Sequence, residues 1–108
     1  MNRNIIVFGA TGKTGQLICK ELELNNLTYS VFVREQSTSK IENSEVKIKT
    51  GNVLNAEDVQ LAFVNESYSD VIIALGSKDL KGSGIRSIGT KNIIDALNNT
   101  QSKPHIHA

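Results

Sequence analysis

Three glycines at three-residue intervals, Gly9, Gly12 and Gly15, stand between the apolar run Ile5-Ile6-Val7-Phe8 and a segment in which Leu17, Ile18, Leu22 and Leu24 recur at near-helical spacing. The β-branched and aromatic run reads as a strand buried on both faces. The periodic segment reads as a helix opening at about Lys13 or Thr14. A turn joining the two aims free backbone N–H groups and the positive end of a helix dipole at one point, which suits an anion such as a pyrophosphate. Gly9 lets the chain reverse, Gly12 lets a phosphate approach with no Cβ in the way, and Gly15 lets the helix pack tightly on the strand.

Spacing decides between two phosphate-binding motifs. Gly12-Lys13-Thr14 matches the end of a Walker A loop, but that loop needs a glycine five residues earlier, where the chain has Val7. The nucleotide-triphosphatase reading fails. The remaining pattern is close to the G-x-G-x-x-G dinucleotide fingerprint, with the second glycine moved one place on. An unoccupied βα turn is the bland alternative.

The next chemistry falls at strand ends. Tyr29-Ser30-Val31-Phe32-Val33 predicts a second strand, parallel to the first, and the residue after it is Arg34. An acid there would accept from both ribose hydroxyls and favour NAD; a guanidinium, with the hydroxyls of Ser37, Thr38 and Ser39 and with Lys40 following, suits a dianionic 2′-phosphate and favours NADP(H) over NAD(H). Glu35 keeps the NAD reading open, and Arg34 and Lys40 as solvated loop charges is the plain alternative. Asn52 could hydrogen-bond an adenine edge while Val53 packs on the ring, or Asn52 could serve only its turn. The apolar run Val71-Ile72-Ile73-Ala74-Leu75 predicts a central strand whose end, Leu75-Gly76-Ser77, faces the nicotinamide half of such a cofactor.

These positions need a scaffold of alternating strands and helices. Val46-Lys47-Ile48-Lys49-Thr50 alternates as an outer strand with one wet face, its lysines guarding the edge. Asn55 and Asp58 open a helix expected through Val59, Leu61, Ala62, Phe63 and Val64. The polar loop 78–84 precedes a last helix from about Ile85 to Asn98, with Ile88, Ile93, Ala96 and Leu97 inward. Gly89 inside it costs about 1 kcal/mol against alanine, which close approach to the sheet or cofactor would explain. Lys103 to Ala108 begins a fifth strand, and His105-x-His107 with no third ligand in sight is a poor metal site. The expected fold is α/β: a three-layer, doubly wound parallel sheet of order 3-2-1-4 with a short or incomplete fifth strand.

Composition sets the outer limits. The chain has 108 residues, 39% hydrophobic and 21% charged, which fits one globular domain. A net charge of +1 without a basic run gives no nucleic-acid surface, and no segment reaches a membrane span, so the expected location is cytoplasmic. Cys19 is the single cysteine, which removes internal disulfides and thiolate clusters and reads as a core or boundary residue.

Gly9-Ala10-Thr11-Gly12-Lys13-Thr14-Gly15, Val33-Arg34, Gly51-Asn52-Val53-Leu54, Ala74-Leu75-Gly76 and Gly89-Thr90-Lys91-Asn92-Ile93-Ile94, all in this order, resemble the atypical short-chain dehydrogenase/reductases, and within them the biliverdin reductase B (flavin reductase) and NmrA-like NAD(P)H-binding group. The resemblance implies an NADP-preferring Rossmann domain in which Gly9 to Gly15, with Thr11, Lys13 and Thr14, cradles the pyrophosphate. It implies Arg34 at the 2′-phosphate, Asn52 and Val53 at the adenine, and Leu75 and Gly76 at the nicotinamide ribose. Relatives usually carry Asp where this chain has Asn52. Many use a Tyr-x-x-x-Lys pair, yet the residues four after Tyr29 and Tyr68 are Val33 and Ile72, so no catalytic residue can be named.

The expected function is an NADP(H)-binding domain, spanning residues 1–108, of a reductase-like protein without its C-terminal substrate-binding part. Hydride transfer to a small acceptor such as a flavin or quinone is the family-implied activity. A non-enzymatic NADP(H) sensor and an inactive fragment are the alternatives. A short fifth strand would leave an apolar sheet edge, through which self-association is expected.

Overall fold

The computed structural model describes residues 3–75, 85–100 and 104–107, the first three of the last helix by backbone alone. Five parallel strands form one sheet of order β3-β2-β1-β4-β5: β1 (Ile5–Phe8), β2 (Ser30–Val33), β3 (Lys47–Thr50), β4 (Asp70–Ile73) and the three-residue β5 (His105–His107). Three helices, α1 (Lys13–Leu24), α2 (Ala56–Ala62) and α3 (Ile85–Asn98), and a 3₁₀ turn (Glu35–Lys40) connect them. This is the expected doubly wound sheet, completed by a short fifth strand.

Burial on both faces explains why the central strands are unbroken apolar runs. On one face Ile6, Phe8, Phe32, Val71 and Ile73 pack against α2 and α3 through Val59, Phe63, Ile93 and Leu97. On the other, Ile5, Val7, Val31 and Val33 meet α1 at Cys19, with Tyr29 and Val46 at the margin. Strand order reverses at β1, which pairs with β2 on one side and β4 on the other, so a crevice opens beyond their carboxyl ends.

Helix rotation differs from expectation in two places. Leu17 and Leu24 are 67% and 70% exposed, and the sheet-facing stripe of α1 is Gly15 and Cys19, flanked by Ile18 and Leu22. Gly15 sets this rotation: at 3.6 residues per turn, Leu17 and Leu24 fall about 180–200° away from it. In α3, Gly89 takes the inward place expected of Ile88, which is exposed. Helix α2 is also shorter than expected. It ends at Ala62, the chain turns through Asn65 at φ 59°, and Leu61 and Val64 are left exposed. At its start Asn55 is the expected cap, accepting from the Glu57 and Asp58 amides at 2.9 and 3.3 Å.

β3 is the expected edge, pairing only with β2 among the described strands. Its alternation is weaker than expected, since Ile48 is itself exposed, while Lys49 reaches Glu66 at 3.0 Å. The sequence-predicted loop 78–84 lies outside the described residues, as do Gly76 and Ser77.

Candidate nucleotide-binding cleft

The turn after β1 is built around the space between backbone atoms. Gly9 has φ +87°, and a Cβ on it would lie 2.4 Å from the Ala74 carbonyl oxygen. A Cβ on Gly15 would lie 1.9 Å from the Gly9 carbonyl oxygen, so only glycine lets α1 sit down on the turn. Gly12 differs. Among the described residues the only atom near its hypothetical Cβ is the Gly9 oxygen at 3.5 Å, an ordinary contact, so they leave its outer side open. The Gly12 amide donates to the Gly9 carbonyl at 3.2 Å, and Gln16 Nε2 donates to the Thr11 carbonyl at 2.8 Å, holding the turn in shape. Gly12 caps α1 in an extended conformation with no side-chain cap, leaving first-turn N–H groups for an external acceptor.

Beyond this turn lies a cleft of about 290 Å³ that gathers the ends of four strands. Gly9, Thr11 and Gly12 come from the β1 turn, Arg34 from the end of β2, Asn52 and Val53 from the loop after β3, and Leu75 from the end of β4. These sequence-predicted residues share one cavity. Lys13 and Thr14 sit exposed in the first turn of α1, outside its wall, and Gly15 is buried beneath the turn. Gly76 lies outside the described residues.

Several lining residues were not in the sequence-predicted set. Phe8 and Phe32, with ring centres 5.1 Å apart, line the cleft as an apolar floor continuous with the core. Their place in the apolar runs of β1 and β2 was the signal for them, although it marked them only as core. Ser37, the one buried residue of the 3₁₀ turn, and Lys40 at its end, which the sequence already grouped with Arg34, also face the cleft. Arg34 starts that turn, its carbonyl accepting the Ser37 amide at 2.8 Å, so the turn brings Ser37 and Lys40 round to the same side.

Among the described residues the lining carries two cationic side chains, Arg34 and Lys40, and no carboxylate. Neither cation has an ion-pair partner among the described residues. Asp58 stands behind the wall, where it accepts the Asn52 backbone amide at 2.9 Å. An anion at this end of the cleft would meet uncompensated positive charge. Asn52 serves its turn, its Oδ1 accepting the Leu54 amide at 2.9 Å, and its Nδ2 has no partner among the described residues.

Both tyrosines are elsewhere. The Tyr29 hydroxyl donates to Glu23 on the α1 side of the sheet, and the Tyr68 hydroxyl donates to the Ala62 carbonyl at 2.8 Å within the core. Burial first, and the adjoining carboxylates second, push both phenols far above the usual range. Burial also raises the Cys19 thiol, against a smaller opposing effect of its hydrogen bond with Tyr29, which makes Cys19 a packing residue.

Solved structures share this architecture. A short-chain dehydrogenase/reductase from Vibrio parahaemolyticus is 17% identical over 94% of this chain and 56% of its own, with a TM-score of 0.76. A Rossmann-fold NAD(P)-binding family protein from Shigella flexneri is 21% identical over 98% of this chain and 50% of its own, with a TM-score of 0.72. A wide-type short-chain dehydrogenase/reductase from Veillonella parvula, solved in complex with NADP, is 19% identical over 98% of this chain and 46% of its own, with a TM-score of 0.67. The chain thus spans about half the length of the proteins it matches. A family model described as NAD(P)H-binding matches residues 9–106, from the first glycine of the turn into the last strand, and this chain belongs to that NAD(P)H-binding family.

Proposed function

We propose that this chain is the NADP(H)-binding domain of a reductase-like protein, with NADP(H) preferred over NAD(H). The observation that carries this reading is the cleft in which, among the described residues, a glycine cradle meets two cations without ion-pair partners and no carboxylate stands in the wall. The turn from Gly9 to Gly15 would hold the pyrophosphate on backbone N–H groups, Lys13 and Thr14 being close by in the first turn of α1. Arg34, with Lys40 and Ser37 beside it, would hold the 2′-phosphate. Asn52 Nδ2 and the Val53 side chain would receive the adenine, and Leu75 and Gly76 the nicotinamide ribose. When bound, the nicotinamide supplies the hydride. The complex of NADP with a structural neighbour supports the choice of dinucleotide.

Differential thermal shift with NADPH and NADH tests the reading. NADPH is expected to raise the melting temperature more, and Arg34→Glu is expected to weaken NADPH binding by about tenfold or more while leaving NADH nearly unaffected. Equal shifts for both nucleotides would remove the Arg34 assignment.

A second reading, a sensor of NADP against NADPH that passes its state to a partner, is favoured by the burial of both tyrosines away from the cleft. Steady NADPH oxidation with a flavin or quinone acceptor would reject a pure sensor. Self-association through the β5 edge is also part of the proposal, supported by the exposure of Ile106 on that strand; a strictly monomeric sedimentation profile at high concentration would reject it. A cytoplasmic location is proposed as well.

A further inference from the structure

Among the described residues, helix α3 supports the cleft without lining it. Gly89 and Asn92 lie three residues apart on its inner side. A Cβ on Gly89 would come within 2.8 Å of Leu75 Cδ1 and within 3.1 and 3.2 Å of the two Val53 methyl carbons. The bare Cα is therefore the surface on which both side chains rest. Asn92 Nδ2 donates to the Val53 carbonyl oxygen at 2.8 Å, a bond across 39 positions of sequence. The other ties of this loop fix its neighbours: the Gly51 amide donates to the Val33 carbonyl, and the Asn52 amide to Asp58. The Val53 carbonyl is held by α3.

We propose that Asn92 is a positioning residue for nucleotide recognition, which together with Gly89 sets how far the Val53 wall stands into the cleft. The proposal rests on the cofactor reading above and deepens it at the adenosine end. Val53 is buried beneath α3 and yet forms part of the cleft wall, so a displacement of its carbonyl changes the surface offered to a planar base. Removing the Asn92 amide frees that carbonyl to turn towards water. Adding a methyl at Gly89 pushes Val53 and Leu75 outward into the space a nucleotide would take.

The test uses 2′,5′-ADP as the probe of the adenosine end, titrated calorimetrically into wild type, Asn92→Ala, Asn92→Asp and Gly89→Ala. Melting temperatures and Val53 methyl resonances are recorded without nucleotide. Each variant is expected to raise the dissociation constant about three- to tenfold and to shift the Val53 resonances before any ligand is added. Asn92→Asp should be at least as damaging as Asn92→Ala, because its carboxylate faces a carbonyl with no proton between them. Gly89→Ala removes no hydrogen bond and carries the test if the Asn92 variants do not fold. Lower melting temperatures with dissociation constants within about twofold of wild type would make Asn92 merely structural and overturn the proposal. Failure of the wild-type chain to bind 2′,5′-ADP is a separate result, which overturns the cofactor reading and this proposal with it.

Discussion

Gly12 and Gly15 lie three residues apart in one motif and yet do different work. A side chain at Gly15 collides with backbone, which cannot yield, whereas one at Gly12 meets an ordinary contact distance. Gly15→Ala should therefore separate α1 from the turn and destabilise the fold by about 3 kcal/mol, read as a lowered urea midpoint. Gly12→Ala should leave that midpoint within about 0.5 kcal/mol of wild type and instead weaken NADPH binding, because its methyl would stand where the phosphates approach. Spacing alone identified both glycines, and the close packing at Gly15 was legible because a βα turn is local. The place of Arg34 on the cleft wall was legible for the same reason, since it is the first residue past a strand. Ser37 was not singled out from Ser39, since its burial depends on the 3₁₀ turn curling back to the cleft. Asn92 stood in a quoted motif with no role, because its partner Val53 is distant in sequence and adjacent only in the folded chain.

At the scale of elements, the strands were legible as apolar runs and the helix faces less so. Hydrophobic spacing in α1 admits several rotations, and the tight contact at Gly15 chooses the one that leaves Leu17 and Leu24 in water. The short fifth strand was legible, but the side-chain joint that ties β4 to β5 was not. Asp70 opens β4 with a side chain only 7% exposed, and its Oδ2 lies 3.1 Å from Arg3 Nη2 and accepts from Ser69 Oγ at 2.8 Å. Its Oδ1 lies 3.2 Å from Nε2 of His107 at the end of β5. Burial works to raise the Asp70 carboxyl, but the hydrogen bonds from Ser69, His107 and Arg3, with the Arg3 charge, outweigh it and hold the group below the usual carboxylate range. A carboxyl depressed by folding contributes stability that is fully present above its unfolded value, about pH 3.9. That contribution is lost as pH falls through the lower folded value. Asp70→Asn should cost about 1–3 kcal/mol at pH 7 and should flatten the acid limb of a urea-midpoint profile taken from pH 7 to pH 2. An unchanged acid limb would mean that other carboxylates govern it.

On the scale of the whole molecule, the cleft exists only because one sheet brings four loops together. Its lining spans positions from Phe8 to Leu75, and an unfolded chain holds no two of these segments in register. A dinucleotide should therefore bind the folded state alone, and its binding free energy should add directly to stability. At a hundred times its dissociation constant a ligand adds about 2.7 kcal/mol, enough to raise the melting temperature of a domain this small by about 10 °C or more. Salt separates the contributions within that shift. The glycine cradle would act through backbone N–H groups close to the phosphates, whereas Arg34 and Lys40 are exposed charges whose reach shrinks from about 10 Å at 0.1 M salt to about 3 Å at 1 M. The advantage of NADPH over NADH should accordingly narrow as salt rises, while the NADH shift changes little. An NADPH advantage that is the same at both ionic strengths would move discrimination away from these two cations and onto the shape of the pocket.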